Sequence, residues 1–191
     1  MSHQVPCKKI SAKFDFKTFE NADIPEWFEN NDCTRQYFEI WKIFLKYVLD
    51  LKAKKVLEFG TRDGYSTRLF SDFLKFTGGH LTTVDLDKPK IADTSTMDNV
   101  TFIQSDILNL DWKEEVDILY IDDWHSPYHL FGELDRFSKY AKVVMIHDVM
   151  QEWQIKTGIM NGVIAWCQKE FIPFTIYPLN ACGLAIIENK K

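Results

Sequence analysis

Residues 54–67, KKVLEFGTRDGYST, carry the chemical layout that says most about this chain. A short apolar run, Val56 and Leu57, ends at an acid, Glu58. Gly60 and Gly64 follow at a spacing of four, and a helix-like segment opens near Ser66. This is the order strand, glycine turn, helix N-terminus. Glycines let backbone pass close to a ligand, and the first turn of a helix offers N–H groups without partners inside the helix. A carboxylate at the strand end suits a ligand with hydroxyls or an ammonium group and does not suit a phosphate. An ordinary β–α turn also needs glycine for its geometry, so this segment alone leaves both readings open.

Other acids stand at the ends of later strand-like runs. They are Asp85, Asp106, the pair Asp122-Asp123 and Asp148. In an open α/β sheet, ligands bind beyond the carboxyl ends of the strands. Acids at five successive strand ends therefore point to a binding crevice. Asp85 follows Gly60 by 25 residues, close to the spacing expected for an acid that holds a ribose diol. His125, three residues past Asp122, has an ordinary pKa suited to a general base at neutral pH. Its plainer alternative is a loop histidine bonded to Asp123 or to backbone. His147 precedes Asp148 within a strand, so the two are expected on opposite faces unless the strand ends there. A ferrous site of His125, His147 and Asp148 is conceivable on donor type. His129 is expected on an outer helix with a structural role.

These groups need a frame. Strand-like runs lie at 55–59, 80–85, 100–105, 116–121, 143–147, 175–178 and 184–188. Between them lie helical patterns at 66–76, 128–140 and about 154–169, preceded by one at 34–51. Strands alternating with helices imply βαβ units and a mostly parallel sheet covered on both faces. The link through Leu179 to Gly183 is of hairpin length, so the last two strands are expected to pair antiparallel. Residues 87–98, DKPKIADTSTMD, are polar and read as irregular. Tyr37, Phe38 and Trp41 recur at helical spacing and are expected to pack on the sheet. Residues 1–33 read as an N-terminal arm or lid, with a short turn at Pro25, Trp27 and Phe28 over the domain or a ligand. Residues 34–191 read as the core of a single domain.

Length and composition narrow the class. A chain of 191 residues with 46% hydrophobic and 15% aromatic residues builds one globular domain. A formal net charge of −5 without a basic block argues against nucleic acid as the main partner. No apolar stretch is long enough to span a bilayer, and the first residues do not read as a signal peptide. Cys7, Cys33, Cys167 and Cys182 are scattered without metal-ligand spacing, which suits reduced thiols in a cytoplasmic protein.

Taken in order, VLEFGTRDGYST, LTTVDLD, FIQSDIL and VDILYIDDWH resemble the motifs of the class I S-adenosylmethionine (SAM)-dependent methyltransferases. The resemblance spans roughly Val56 to Asp148. Gly60 and Gly64 do not follow the GxGxxG spacing of a nicotinamide dehydrogenase. The resemblance implies a Rossmann-like, doubly wound α/β fold. Its sheet would be seven-stranded and mostly parallel, with an antiparallel C-terminal strand pair. It implies SAM bound through Glu58, Gly60, Thr61, Gly64, Tyr65, Ser66, Asp85, Asp106 and Asp122. IDDWHSPYH followed by MIHDVM is similar to the small-molecule O-methyltransferases that use a divalent metal and to the cephalosporin-hydroxylase-like branch.

That similarity implies catalytic roles for Asp122, His125 and Asp148, with Asp122 and Asp148 holding Mg²⁺ or another divalent cation such as Ca²⁺. The chain departs from the pattern at Val149, which cannot ligate, and at Lys139-Tyr140-Ala141-Lys142, where a glycine pair is usual. Without a metal, Asp122 would orient the methionine end of SAM or a substrate, and Asp148 would cap a loop. The resulting expectation is methyl transfer to a small molecule, at oxygen. Trp124 and Trp153 would wall the acceptor pocket, unless a second subunit of a homodimer completes it. A hydroxylase-like enzyme on the same fold and a non-catalytic SAM-binding module are the alternatives.

Overall fold

The chain is described from a computed structural model, which covers residues 32–90, 93–150, 158–179 and 182–189. Trp27, Phe28, Trp153 and most of the expected arm lie outside the described residues, as do the side chains of Cys33, Tyr37 and Phe38.

Seven strands form one sheet: β1 (Lys55–Phe59), β2 (His80–Asp85), β3 (Val100–Gln104), β4 (Val116–Ile121), β5 (Ala141–His147), β6 (Phe174–Tyr177) and β7 (Leu184–Glu188). The spatial order is β3-β2-β1-β4-β5-β7-β6. The first five strands pair in parallel, and β7 runs antiparallel to both β5 and β6. The fold class expected from the sequence is the one observed. The strand order reverses between β1 and β4, so their carboxyl ends border the crevice where this class of sheet binds ligands.

Among the described residues, four helices cover the sheet: α1 (Asp32–Asp50), α2 (Tyr65–Thr77), α3 (Pro127–Phe137) and α4 (Ile159–Glu170). On α1 the buried stripe Ile40, Trp41, Phe44, Leu45 and Val48 has helical period and joins Phe70 and Phe73 of α2 against one face. Leu57, Phe59, Leu119, Ile121, Phe137 and Trp166 fill the other face. Neighbouring strand residues divide between the two clusters, as the alternation of a strand requires. Gly162 of α4 is needed for close packing, because a Cβ there would lie 2.8 Å from the Pro127 carbonyl oxygen.

Several boundaries shift for local reasons. β5 starts at Ala141, two residues early, because Ala141 pairs with Val116 and the Lys142 ammonium reaches Asp117 at 2.7 Å. β6 stops at Tyr177, since Pro178 has no N–H for the ladder. Covering of both faces also fails in part. Among the described residues, the β2–β3 and β3–β4 links hold only the 3₁₀ turns Thr94–Thr96 and Ile107–Asn109. No helix there shields β3, and every one of its side chains is at least partly exposed.

The tightest aromatic contact lies under α1 and α2. The Phe44 and Phe70 rings stack with centroids 3.7 Å apart, and Tyr120 meets Phe70 edge-on at 4.8 Å. Phe70→Ala removes a fully buried ring from this cluster. It should lower unfolding free energy by about 3–5 kcal/mol, read as a lower urea midpoint at unchanged slope.

Candidate active site

The geometry starts where β1 and β4 end side by side. Gly60 has φ +91°, and a Cβ there would sit 2.2 Å from the Asp122 carbonyl oxygen. The Asp122 N–H donates to the Phe59 carbonyl at 2.9 Å, and the Gly60 N–H donates to the Val84 carbonyl at 3.0 Å. Glycine is required here for backbone passing backbone, whereas the sequence suggested backbone passing a ligand.

Beyond this junction opens a cavity of about 480 Å³, bordered by Gly60, Asp85, Asp106 and Asp122. Its size is that of a small-molecule or cofactor site. Asp85 accepts from the backbone N–H of Arg62 at 2.7 Å and of Asp87 at 3.1 Å. Asp106 accepts from the Leu108 N–H at 3.0 Å and the Asn109 amide at 2.8 Å. Both carboxylates thus stand still at the cavity edge, held by the loops that follow their strands.

The other residues expected to bind cofactor do not border this cavity. Thr61 shares a 2.6 Å hydrogen bond with Thr83 inside the protein. Glu58 is fully buried and accepts from Thr67 Oγ1 at 2.6 Å. Burial pushes its pKa up to about 7, against the hydroxyls of Ser66, Thr67 and Thr83, while Asp122 adds to the rise. Gly64 caps α2, and Tyr65 and Ser66 begin that helix. The cavity instead recruits Arg62, Lys88 and His129, and Trp124, expected at the acceptor pocket, also lines it. Only closeness in sequence to the strand-end acids could have pointed to the first three.

Asp122 also belongs to a second group. His125 Nε2 lies 3.3 Å from Asp148 and 3.7 Å from Asp122. His147 Nδ1 lies 3.2 Å from each of the same two carboxylates. His147 and Asp148 meet the same cluster because the strand ends there, the condition attached to their expected opposite faces. β5 ends at His147, and Asp148 takes the left-handed φ of +59°, which turns its carboxylate back toward the histidine. Trp41 stacks on the His147 ring at 6.4 Å, so the expected core aromatic also forms the floor of this cluster.

The cluster is strongly polarised. Burial would raise the Asp122 pKa, but His147 and His125 outweigh it and hold the carboxyl below its usual range. Burial lowers the His125 pKa, and Asp122 and Asp148 more than reverse that, raising it to about 9. His125 therefore carries its proton at neutral pH, facing the Asp122 and Asp148 carboxylates. His147 is also raised, with Asp122 outweighing burial. The histidine that takes Asp123 is His129, at 3.0 Å from α3. It lines the cavity, in contrast to the expected outer, structural position.

Residues 57–149 match the family described as a methyltransferase domain. No curated protein matches the sequence. Among solved structures, the SAH-bound Podospora anserina methyltransferase PaMTH1 superposes with a TM-score of 0.66 at 15% identity, covering 92% of this chain and 93% of the other. The N-methyltransferase NodS of Bradyrhizobium japonicum, in complex with SAH, gives a TM-score of 0.63 at 15% identity, covering 92% and 98%. An O-methyltransferase from Bacillus cereus with SAH gives 0.58 at 17% identity, covering 91% and 88%. The family match runs from within β1 to just past β5, and the likeness of fold extends over the whole sheet, so the chain is similar to the methyltransferase domain in this region and shares the fold of those enzymes.

Proposed function

We propose that this protein moves a methyl group from SAM to an oxygen of a small molecule. One observation carries the reading: Asp122 belongs both to the 480 Å³ cavity and to the cluster with His125, His147 and Asp148. A cofactor site and a proton-handling site thus share a wall. SAM supplies an electrophilic methyl on its sulfonium. In this reading Asp85 would accept from the ribose hydroxyls, and Asp106 would meet the adenine amino group. SAM held along this wall would present its methyl group to an acceptor beside Asp122.

The donor set fits a divalent cation. Ligand atoms of Asp122, His125 and Asp148 lie within 4.8 Å of one another. The family pattern would place a ligand at position 149, but Val149 is buried in the apolar core. His125 brings a nitrogen to the site instead, which widens the choice from Mg²⁺ toward Mn²⁺ or Zn²⁺. A cation there would lower the pKa of an acceptor hydroxyl. Charge on Asp122 and Asp148 is what holds the proton on His125. A cation that took His125 as a ligand would displace that proton, and the proton of the acceptor hydroxyl would then pass to solvent rather than to His125. The acceptor in this reading is a small molecule. The reading includes a cytoplasmic protein and leaves room for a homodimer.

Calorimetric titration with SAH, with Mg²⁺ and with EDTA, tests this. SAH should bind wild type, and Asp85→Ala should weaken it at least about tenfold, the loss of one charge-assisted hydrogen-bond pair. Asp148→Asn should leave SAH affinity intact and abolish any metal dependence of methyl transfer. No SAH binding under any condition would sink the proposal and favour a different enzyme on this fold.

Glu58 yields a pH signature. Its folded pKa of about 7 lies above its ordinary 4.5. The folded state therefore holds a proton that the unfolded state has lost between these values, and stability falls as pH rises through that window. The loss is on the order of 3 kcal/mol. Melting of Glu58→Gln should decline less than wild type between about pH 4.5 and 7. Parallel curves would show that Glu58 titrates normally.

A further inference from the structure

A second cluster of ligand-type side chains backs onto the first, and nothing in the proposed methyl transfer uses it. Asp123 points away from its neighbour Asp122 and meets His129 Nε2 at 3.0 Å. One turn further along α3, Glu133 brings Oε1 to 3.7 Å from the same nitrogen. His129 and Glu133 stand four residues apart and so share one helix face. The donor atoms of Asp123, His129 and Glu133 all lie within 4.8 Å of one another.

Glu133 is the unusual member. It is 0% exposed, and neither carboxyl oxygen has a hydrogen-bond partner. Its surroundings include Leu130, Ile121 and Ile159. Burying such a group without a partner is costly, and a native protein seldom does so without a use for it. Glu133 and Asp123 also border a small cavity of about 10 Å³ on the side of Asp122, His125 and His147, with His129 outside its lining. That is room for about one water. Asp123 and His129 also line the large cavity, which gives the cluster a path to solvent.

We propose that Asp123, His129 and Glu133 form a second divalent-cation site, distinct from the Asp122–Asp148 cluster and selective for Zn²⁺ over Mg²⁺. One imidazole nitrogen and two carboxylates make a three-ligand set open at its fourth position. Tetrahedral bonds of about 2.0–2.1 Å place ligand atoms roughly 3.3 Å apart, and the 3.0 and 3.7 Å separations bracket that value. The ion would tie the loop after β4, which carries Trp124 and His125, to the first turns of α3. The proposal does not depend on the methyl-transfer reading.

The test is Zn²⁺ titration of the chelator-stripped full chain, wild type against Glu133→Gln, His129→Ala and Asp148→Asn. Wild type should take up Zn²⁺ and melt at a higher temperature with it. Glu133→Gln and His129→Ala should each weaken one Zn²⁺ binding event at least about tenfold, while Asp148→Asn keeps that event. If Glu133→Gln does not fold, His129→Ala decides, because its side chain is only partly buried. Wild-type-like titration by the folded variants, loss of all Zn²⁺ in Asp148→Asn, or no Zn²⁺ uptake by wild type would overturn the proposal. SAH titration of the same samples separates this result from the cofactor question.

Discussion

The approach of two backbone turns governs the rest of this molecule. β1 and β4 are neighbours although two strands separate them in the chain, and their carboxyl ends meet where strand order reverses. Gly60 presses against the Asp122 carbonyl so closely that no side chain fits between them. That contact sets where the loop after β4 starts. Through it, Asp122 is directed to the cavity and His125 cluster, and Asp123 to α3. Any shift of the Gly60 turn would move both acid clusters together.

Charge is concentrated around that junction to a degree a stability argument alone does not explain. Two carboxylates and two histidines share the space at the end of β5, with Trp41 stacked beneath. A few ångströms away a fully buried carboxyl faces another acid–histidine pair. Fixed like charges at close range, partly screened from water, are favourable only when protons, cations or ligands balance them. The strain is visible in the left-handed backbone of Asp148, a conformation a non-glycine residue seldom adopts without local constraint. Such arrangements are where an α/β sheet does its chemistry.

Much of this was legible in the residues. Period-two and period-3.6 patterns located the seven strands of the sheet and the four helices of the described residues, because alternating burial leaves a direct trace in residue type. The acids at the strand ends could be read as one site, since parallel strands bring their carboxyl ends to one edge. Boundaries slipped where a tertiary contact extended a strand, as at Ala141, or where a missing N–H cut one short, as at Pro178. Among the described residues, the absence of α-helices in the links on either side of β3 was only hinted at by the polar 87–98 segment.

The sequence by itself determined the α/β alternation, the antiparallel end of the sheet and the row of acids, because these follow from local pattern and connection length. Only the tertiary structure decided which side chains meet. Glu58 and Thr61 turned into the protein to satisfy buried hydroxyls. His147 joined Asp148 because the chain reverses its twist after β5. His129 and Glu133 met Asp123 because α3 docks over the end of β4. Pairings of this kind depend on the register and docking of elements far apart in the chain, and residue spacing carries no record of them.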